Sequence, residues 1–460
     1  MKKLLGLGTL MVTGCAMLAV VASAPSATLA SRGRTTLESV SSTGQQANLY
    51  SWAIGISARA RYVVFSSDAT NLVPHDTNNQ SDAFVRDRKT GRTTRVSVSS
   101  SGAQAASSRD GFGGSRAEGI NADGRFVVFV SDALNLVRHD TNGVADIFVR
   151  DRETGRTTRV SVSSRGRQAN APSGFGTISA DGRYVAFDST ASNLVPHDTN
   201  HLADVFVHDR LTGRTERVSL DSRGRQARCD QSYCESVEAA LSANGRYVAF
   251  VSSATNLVPH DTNHLGDVFV RDRKTGRTTR VSVTSSGKQG GGDRTSTGSN
   301  APAISADGRY VAFHSADSNL VPGDTNRTYD IFVHDRVSGR TERVSVGDHG
   351  QQANAENLGA LTISANGRYV AFASFASNLV PNEVAKGTED LFIRDRAARK
   401  TILAIVGADG AQASDSAWPA GFSANARYLV FGSWAGNLVP NDVSPGPDVF
   451  VRDFGGPPGQ

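Results

Sequence analysis

One phrase returns seven times along this chain, and nothing else in it restricts the fold so tightly. Ile178-Ser-Ala-Asp-Gly-Arg-Tyr-Val-Ala-Phe187 recurs with small variations, its last residue falling at Phe65, Phe129, Phe187, Phe250, Phe313, Phe372 and Phe431. The spacing averages about 61 residues, and repetition at a fixed period marks units that bury their faces only against one another. A second phrase follows each core, Asn193-Leu-Val-Pro-His-Asp-Thr-Asn200 and then Asp204-Val-Phe-Val-His-Asp209. A third closes the unit, Thr212-Gly-Arg-Thr-Glu-Arg-Val-Ser219.

Each phrase has the composition of a strand. Arg183-Tyr-Val-Ala-Phe187 is β-branched and aromatic, and Asp181-Gly182 before it is a tight-turn signal. Asp204-Val-Phe-Val207 alternates, Thr212-Gly213 turns it into a third run, and Gly176-Thr-Ile-Ser179 supplies a fourth strand of small residues. Helical periodicity is absent from these units. Four short antiparallel strands per unit predict an all-β fold, a seven-bladed β-propeller. Arg34-Thr-Thr-Leu-Glu-Ser-Val40 copies the closing strand Arg92-Thr-Thr-Arg-Val-Ser-Val98, and the last unit ends just short of its own copy. The N-terminal strand is therefore expected to complete the last blade and pair two free edges.

Ser179-Ala-Asp-Gly-Arg-Tyr-Val-Ala-Phe187 followed by Asp204-Val-Phe-Val-His-Asp209 resembles the WD40-like (PD40) propeller repeat of TolB and its relatives. The likeness spans almost all of the chain beyond residue 30. It implies a secreted or periplasmic interaction propeller. The additional N-terminal α/β domain of TolB and the hydrolase domain of the prolyl-oligopeptidase relatives have no counterpart in these repeats, and TolB's own role does not carry over.

Residues 1–30 have the pattern of a signal peptide: Lys2 and Lys3, an apolar run from Leu4 to about Ala24, and Thr28-Leu-Ala30 before a cleavage site at Ser31. A lipoprotein anchor through Cys15 is the alternative, since Val12-Thr-Gly-Cys15 matches a lipobox, but the apolar Ala16–Val21 that follows is no polar tether. Residues 31–460 are expected to form one propeller domain, secreted or periplasmic, without a membrane span and monomeric. Secretion also favours a disulfide between Cys229 and Cys234, which share one polar loop; a metal pair would lack further ligands nearby.

Propeller geometry places the tight Asp-Gly and Thr-Gly hairpins on one face. The long loops between second and third strands, and the interblade connections, lie on the other, where binding residues concentrate. That face carries Asp-Thr-Asn-x-x-x-Asp in five blades: Asp76, Asn78, Asp82; Asp140, Asn142, Asp146; Asp198, Asn200, Asp204; Asp261, Asn263, Asp267; and Asp324, Asn326, Asp330. Such oxygens suit calcium, or they cap their own loops through Asx turns. No cofactor is required by the sequence; calcium is possible. His75, His139, His197 and His260 share one repeat position, with His201 and His264 nearby. They are a metal or pH-sensing ring, or exposed loop residues set too far apart for one ion.

The departures from sevenfold regularity are the ligand-binding candidates. Trp52 and Trp418 hold equivalent positions in the first and last blades, and Trp434 and Phe375 share another. They are an aromatic platform for sugars or peptide side chains, or filling between blades. Arg86-Asp-Arg88 and Arg150-Asp-Arg152 look like solvated, partly paired surface rather than a polyanion stripe: a formal net charge of +5 and acids bracketed by bases argue against nucleic acid. No Gly-x-Ser-x-Gly elbow, His-Glu-x-x-His pair or Walker loop is present. The expected function is a non-catalytic scaffold binding envelope or extracellular protein or glycan. The alternative is a polysaccharide lyase or hydrolase with its site at the channel mouth, using single departures such as Glu118, Glu238, Glu356 or His314.

Overall fold

The computed structural model describes residues 33–106, 114–228, 235–291, 298–357, 359–381, 383, 387–407 and 410–459. Within them the chain forms seven four-stranded antiparallel sheets arranged in a ring, and no helix. It is the seven-bladed β-propeller the repeat predicts. The leader, Cys15, and the loop holding Cys229 and Cys234 lie outside the described residues.

Each blade runs outward in chain order. In the first, Ser51–Ile56 is innermost, followed by Tyr62–Ser67, Asp82–Asp87 and, at the rim, Arg92–Arg95. The innermost strands touch their neighbours all the way round and line a central channel. The last blade takes its outer strand from the N-terminus: Arg34–Leu37 pairs antiparallel with Asp448–Asp453, Arg34 opposite Asp453 and Leu37 opposite Phe450.

The repeated Phe of the core phrase meets the Phe of the next strand as a stacked pair in every blade, centroids 5.4 Å apart in the last blade (Phe431–Phe450) and 5.9 Å in the third (Phe187–Phe206). All these rings are buried, each contributing roughly 1.5–3 kcal/mol on burial. The clusters they join cross blade boundaries: Val128, Ile147 and Val149 of the second blade pack on Val185 and Phe187 of the third. The Asp-Gly turns complete that packing. Gly182 has φ of 74°, and a Cβ there would come within 2.3 Å of the Phe126 ring in the preceding blade, so the turn and the close approach both need glycine.

On this tight-turn face the arginine phrases correct the sequence expectation of a solvated surface. Arg152 lies over Tyr62 of the blade before it at 4.3 Å, Arg210 over Phe126 at 4.0 Å and Arg273 over Tyr184 at 4.3 Å. Arg86 donates to the carbonyls of Ser41, in the preceding interblade connection, at 3.0 Å and Gly91 at 2.6 Å. The intervening Asp87 is paired with Arg61 at 2.8 Å, which holds its carboxyl down at about 2. These arginines join one blade to the next.

Candidate functional site

Each first strand begins on the long-loop face, and in every blade but the sixth it carries an extra residue near its middle, whose place divides the channel wall in two. In blades one, two and seven the register shifts between Ala53 and Gly55, Ala117 and Gly119, and Pro419 and Gly421. In blades three, four and five it shifts one residue earlier, and Phe175, Glu238 and Ala301 take left-handed φ of 46°, 58° and 49°. Side chains rarely adopt that backbone, least of all bulky ones.

A cavity of about 890 Å³ opens against the first of these arcs. Trp418, Trp52, Arg116 and Glu118 come from the first strands of blades seven, one and two, Asp68 and Asp132 from the ends of the adjoining second strands, and Phe175 from the third blade. Phe175 is 53% exposed, so the strained backbone presents an aromatic ring to solvent. Arg116 reaches over it, 5.4 Å from the ring centre, and pairs with Glu118 at 2.8 Å. Burial pushes the Glu118 carboxyl up to about 6 despite that arginine, and the nearby Asp188 carboxylate adds to the shift. Asp188 is likewise pushed up to about 6 by burial, opposed by the amides of Glu238 and Gly174 that bond to it. Two buried carboxyls thus stand at about 6, and the charge of Asp188 helps raise Glu118.

Trp52 and Trp418 therefore meet in one cavity. Trp434 is outside its lining, exposed on the rim, where Tyr50 links it to Trp52 by edge contacts of 5.6 and 6.2 Å. Phe375 stands exposed at the matching place in blade six. Among the acid and base candidates, Glu118 lines the cavity, whereas the Glu238 carboxylate accepts the Ala301 amide at 2.7 Å and ties blade four to blade five. Glu356 is exposed away from the cavity lining. His314 is buried in the fifth blade, its ring nitrogen pushed down to about 4 by desolvation.

The residues proposed for calcium are engaged otherwise. In all five blades an arginine from the outer strand stands between the two aspartates. Arg95 is 2.9 Å from Asp76 and 3.0 Å from Asp82, and Arg159 is 2.8 Å from Asp140 and 3.1 Å from Asp146. Arg217 does the same for Asp198 and Asp204, Arg280 for Asp261 and Asp267, and Arg343 for Asp324 and Asp330. The second oxygen of Asp82 accepts the Ser97 hydroxyl. The asparagines bond across the loop: Asn78 and Asn142 donate to the carbonyls of Ala105 and Ala169 at 3.0 and 3.1 Å. Among the described residues no group of three or more His, Cys, Asp or Glu is placed to hold a metal. A guanidinium fills the place the sequence suggested for a cation, and loop closure is what the phrase accomplishes.

The repeat carried a signal for this. Blades six and seven, which break the Asp-Thr-Asn phrase, are the ones where the arginine position holds Leu403 and Leu37. There Gln46 bridges Asp442 and Asp448 at 2.6 and 2.9 Å, and Gln412 donates to Asp390 at 2.5 Å. The histidines answer to backbone geometry: His75, His139, His197 and His260 have φ of 59–60°, and His201 and His264 have φ of 57°, all left-handed. Gly323 and Asn441 hold the first position in blades five and seven, also left-handed. All six histidines are exposed.

No family model matches the chain, and neither does any curated protein sequence. Solved structures do. An oligogalacturonate lyase in complex with manganese is similar at TM-score 0.52 and 11% identity, over 92% of this chain and 96% of its own. The oligogalacturonate lyase of Vibrio parahaemolyticus is similar at 0.51 and 12%, over 88% and 90%. TolB from Acinetobacter baumannii is similar at 0.39 and 14%, covering 76% of this chain, which spans 62% of the TolB length. At such identities the two lyases share a fold with this chain and show nothing further about it.

Proposed function

We propose that the protein is a secreted or periplasmic, non-catalytic binding scaffold that takes a protein or glycan ligand at the channel mouth of its long-loop face. The observation that carries this is the cavity of about 890 Å³, within the size range of ligand sites, with Trp52, Trp418 and the strained, exposed Phe175 on its walls. A left-handed phenylalanine costs on the order of 1–2 kcal/mol, and such strain collects where function holds a side chain in place. The repeat-wide residues, by contrast, are consumed by loop closure and blade joining. The test is a panel of extracellular glycans, peptides and envelope extracts offered to the wild type and to the Trp52→Ala/Trp418→Ala variant. Loss of capture with an unchanged melting temperature supports the site; equal capture by both proteins removes it.

A second, catalytic proposal has one observation in its favour: Glu118 and Asp188, both titrating near 6, are suited to proton transfer at neutral pH. The lyases of similar fold are named for oligogalacturonate, an acidic glycan. Here that substrate would meet Glu118, Asp68 and Asp132 against the single Arg116. Incubation with neutral and acidic polysaccharides decides it: new chain ends that disappear in Glu118→Gln establish catalysis, and no turnover removes it.

A further inference from the structure

The charge balance of the cavity narrows its ligand. Three carboxylates line it, Asp68, Asp132 and Glu118, and one guanidinium, Arg116. Burial raises the Asp68 carboxyl. One Asp132 oxygen is buried and accepts no hydrogen bond from a described residue. Carboxylates withdrawn from water without full pairing are costly, and a cation arriving among them relieves that cost.

The cavity also displays the kind of cation it suits. Arg116 has its guanidinium over the Phe175 ring and against Glu118, while its side chain remains 53% exposed. A guanidinium offers forked donors to a carboxylate and a flat face to an aromatic ring at the same time. The same combination of stacked ring and paired acid joins blades on the opposite face, where Arg273 lies over Tyr184 at 4.3 Å and pairs with Glu216 at 2.7 Å. Trp52, Trp418, Asp68 and Asp132 line the same cavity, and among the described residues the arginine there, Arg116, pairs with Glu118 rather than with either aspartate. An ammonium group on a sugar would meet the charge but offers no flat face.

We infer that the channel mouth captures an arginine side chain of a basic partner peptide, held by Asp68 and Asp132 between aromatic walls that include Trp52 and Trp418. This rests on the cavity being the binding site, as proposed above. The cavity is several times larger than one side chain needs, so a peptide segment is the occupant rather than a free amino acid.

Calorimetry and tryptophan fluorescence with the capped peptide acetyl-Gly-Arg-Arg-Gly-amide test the inference on the full mature chain. Its citrulline counterpart, equal in shape but uncharged, and a glucosamine trimer are the comparison probes. The expected result is binding of the arginine peptide, at least tenfold weaker binding of the citrulline peptide, and a comparable loss in Asp68→Asn/Asp132→Asn, with melting temperatures confirming the fold. Equal affinity for the citrulline peptide, tighter binding of the glucosamine trimer, or full affinity in the double variant each overturns it. If another ligand is lost in Trp52→Ala/Trp418→Ala while the arginine peptide never binds, the binding site stands and the arginine inference falls. If the arginine peptide binds that variant unchanged, the site itself is wrong.

Discussion

Two regions of the long-loop face treat their charges in opposite ways. In the loops of blades one to five, every Asp-x-x-x-x-x-Asp pair has an arginine between its carboxylates and a serine behind. At the channel mouth Asp68, Asp132 and Glu118 line one cavity with a single arginine, Arg116, which pairs with Glu118 and stays half-exposed. The first arrangement is copied five times and closed upon itself. The second occurs once and leaves attraction unspent. Function in a repeat protein resides where a copied solution has been abandoned and the chemistry left open.

That contrast breaks if the copied loops tolerate what the mouth tolerates. Arg217→Leu places in a regular blade the residue that blades six and seven use, but leaves Asp198 and Asp204 without their cation. A loss of about 3–5 kcal/mol in denaturant unfolding is expected, as for one partner removed from a buried pair, with peptide or glycan capture unchanged in the folded fraction. A loss below about 1 kcal/mol would make the two regions equivalent.

Titration separates the regions next. Glu118 and Asp188 ionise near 6 in the folded protein, but near the ordinary carboxylate value when unfolded. As pH rises from about 4 to 6 the unfolded chain sheds these protons first, so stability falls across that window and stays lower above it. Asp267 and Asp324, also pushed up to about 6, act in the same direction. Asp87, held at about 2 by Arg61, acts oppositely: it stabilises above about 4, and this is lost as pH falls toward 2. Maximum stability is therefore expected near pH 4, falling toward both pH 2 and pH 6. Glu118→Gln should stabilise the protein at pH 7.5 by roughly 2 kcal/mol, the linkage equivalent of its shift. The gain should vanish at pH 4; an equal gain at both would show that Glu118 ionisation is not its source.

A smaller effect of unusual sign is expected at Phe175. Replacing this exposed, left-handed residue by glycine relieves about 1 kcal/mol of strain while removing an aromatic wall. The melting temperature should rise slightly as ligand affinity falls; a lower melting temperature would show that the ring is part of the core. Chelation should do least. With arginines already between the aspartates, the midpoint in EDTA should match that in calcium, and a shift of several degrees would restore the metal to those loops.

The fold was legible because its evidence is redundant. Seven copies of Arg-Tyr/Phe-Val/Leu with a buried phenylalanine two residues on repeat one instruction, and Arg34–Leu37 supplied the missing strand by plain similarity. The mouth was legible only in part. Trp52 and Trp418 stood out because tryptophan is rare in this chain, but Asp68 and Asp132 blend into a position where serine, threonine and alanine also occur. Phe175 and Arg116 depend on where a bulge falls in six-residue strands of equal length, which is a matter of backbone register rather than residue type. The arginine partners of the aspartates lie 13 residues or more away in sequence, yet their disappearance together with the Asp-Thr-Asn phrase in blades six and seven was readable in principle.

The strand that completes the last blade also sets a schedule. Within a blade the stacked phenylalanines lie about twenty residues apart and can meet as soon as that stretch of chain is available. The bond from Thr36 to Val451 spans 415 residues. Joining points so far apart along a chain costs conformational entropy that nearby contacts do not, and such contacts form slowly. The ring should therefore assemble as an open arc of finished blades and lock last. The tryptophans of blades seven and one, facing each other across that final junction, would then report the moment of closure.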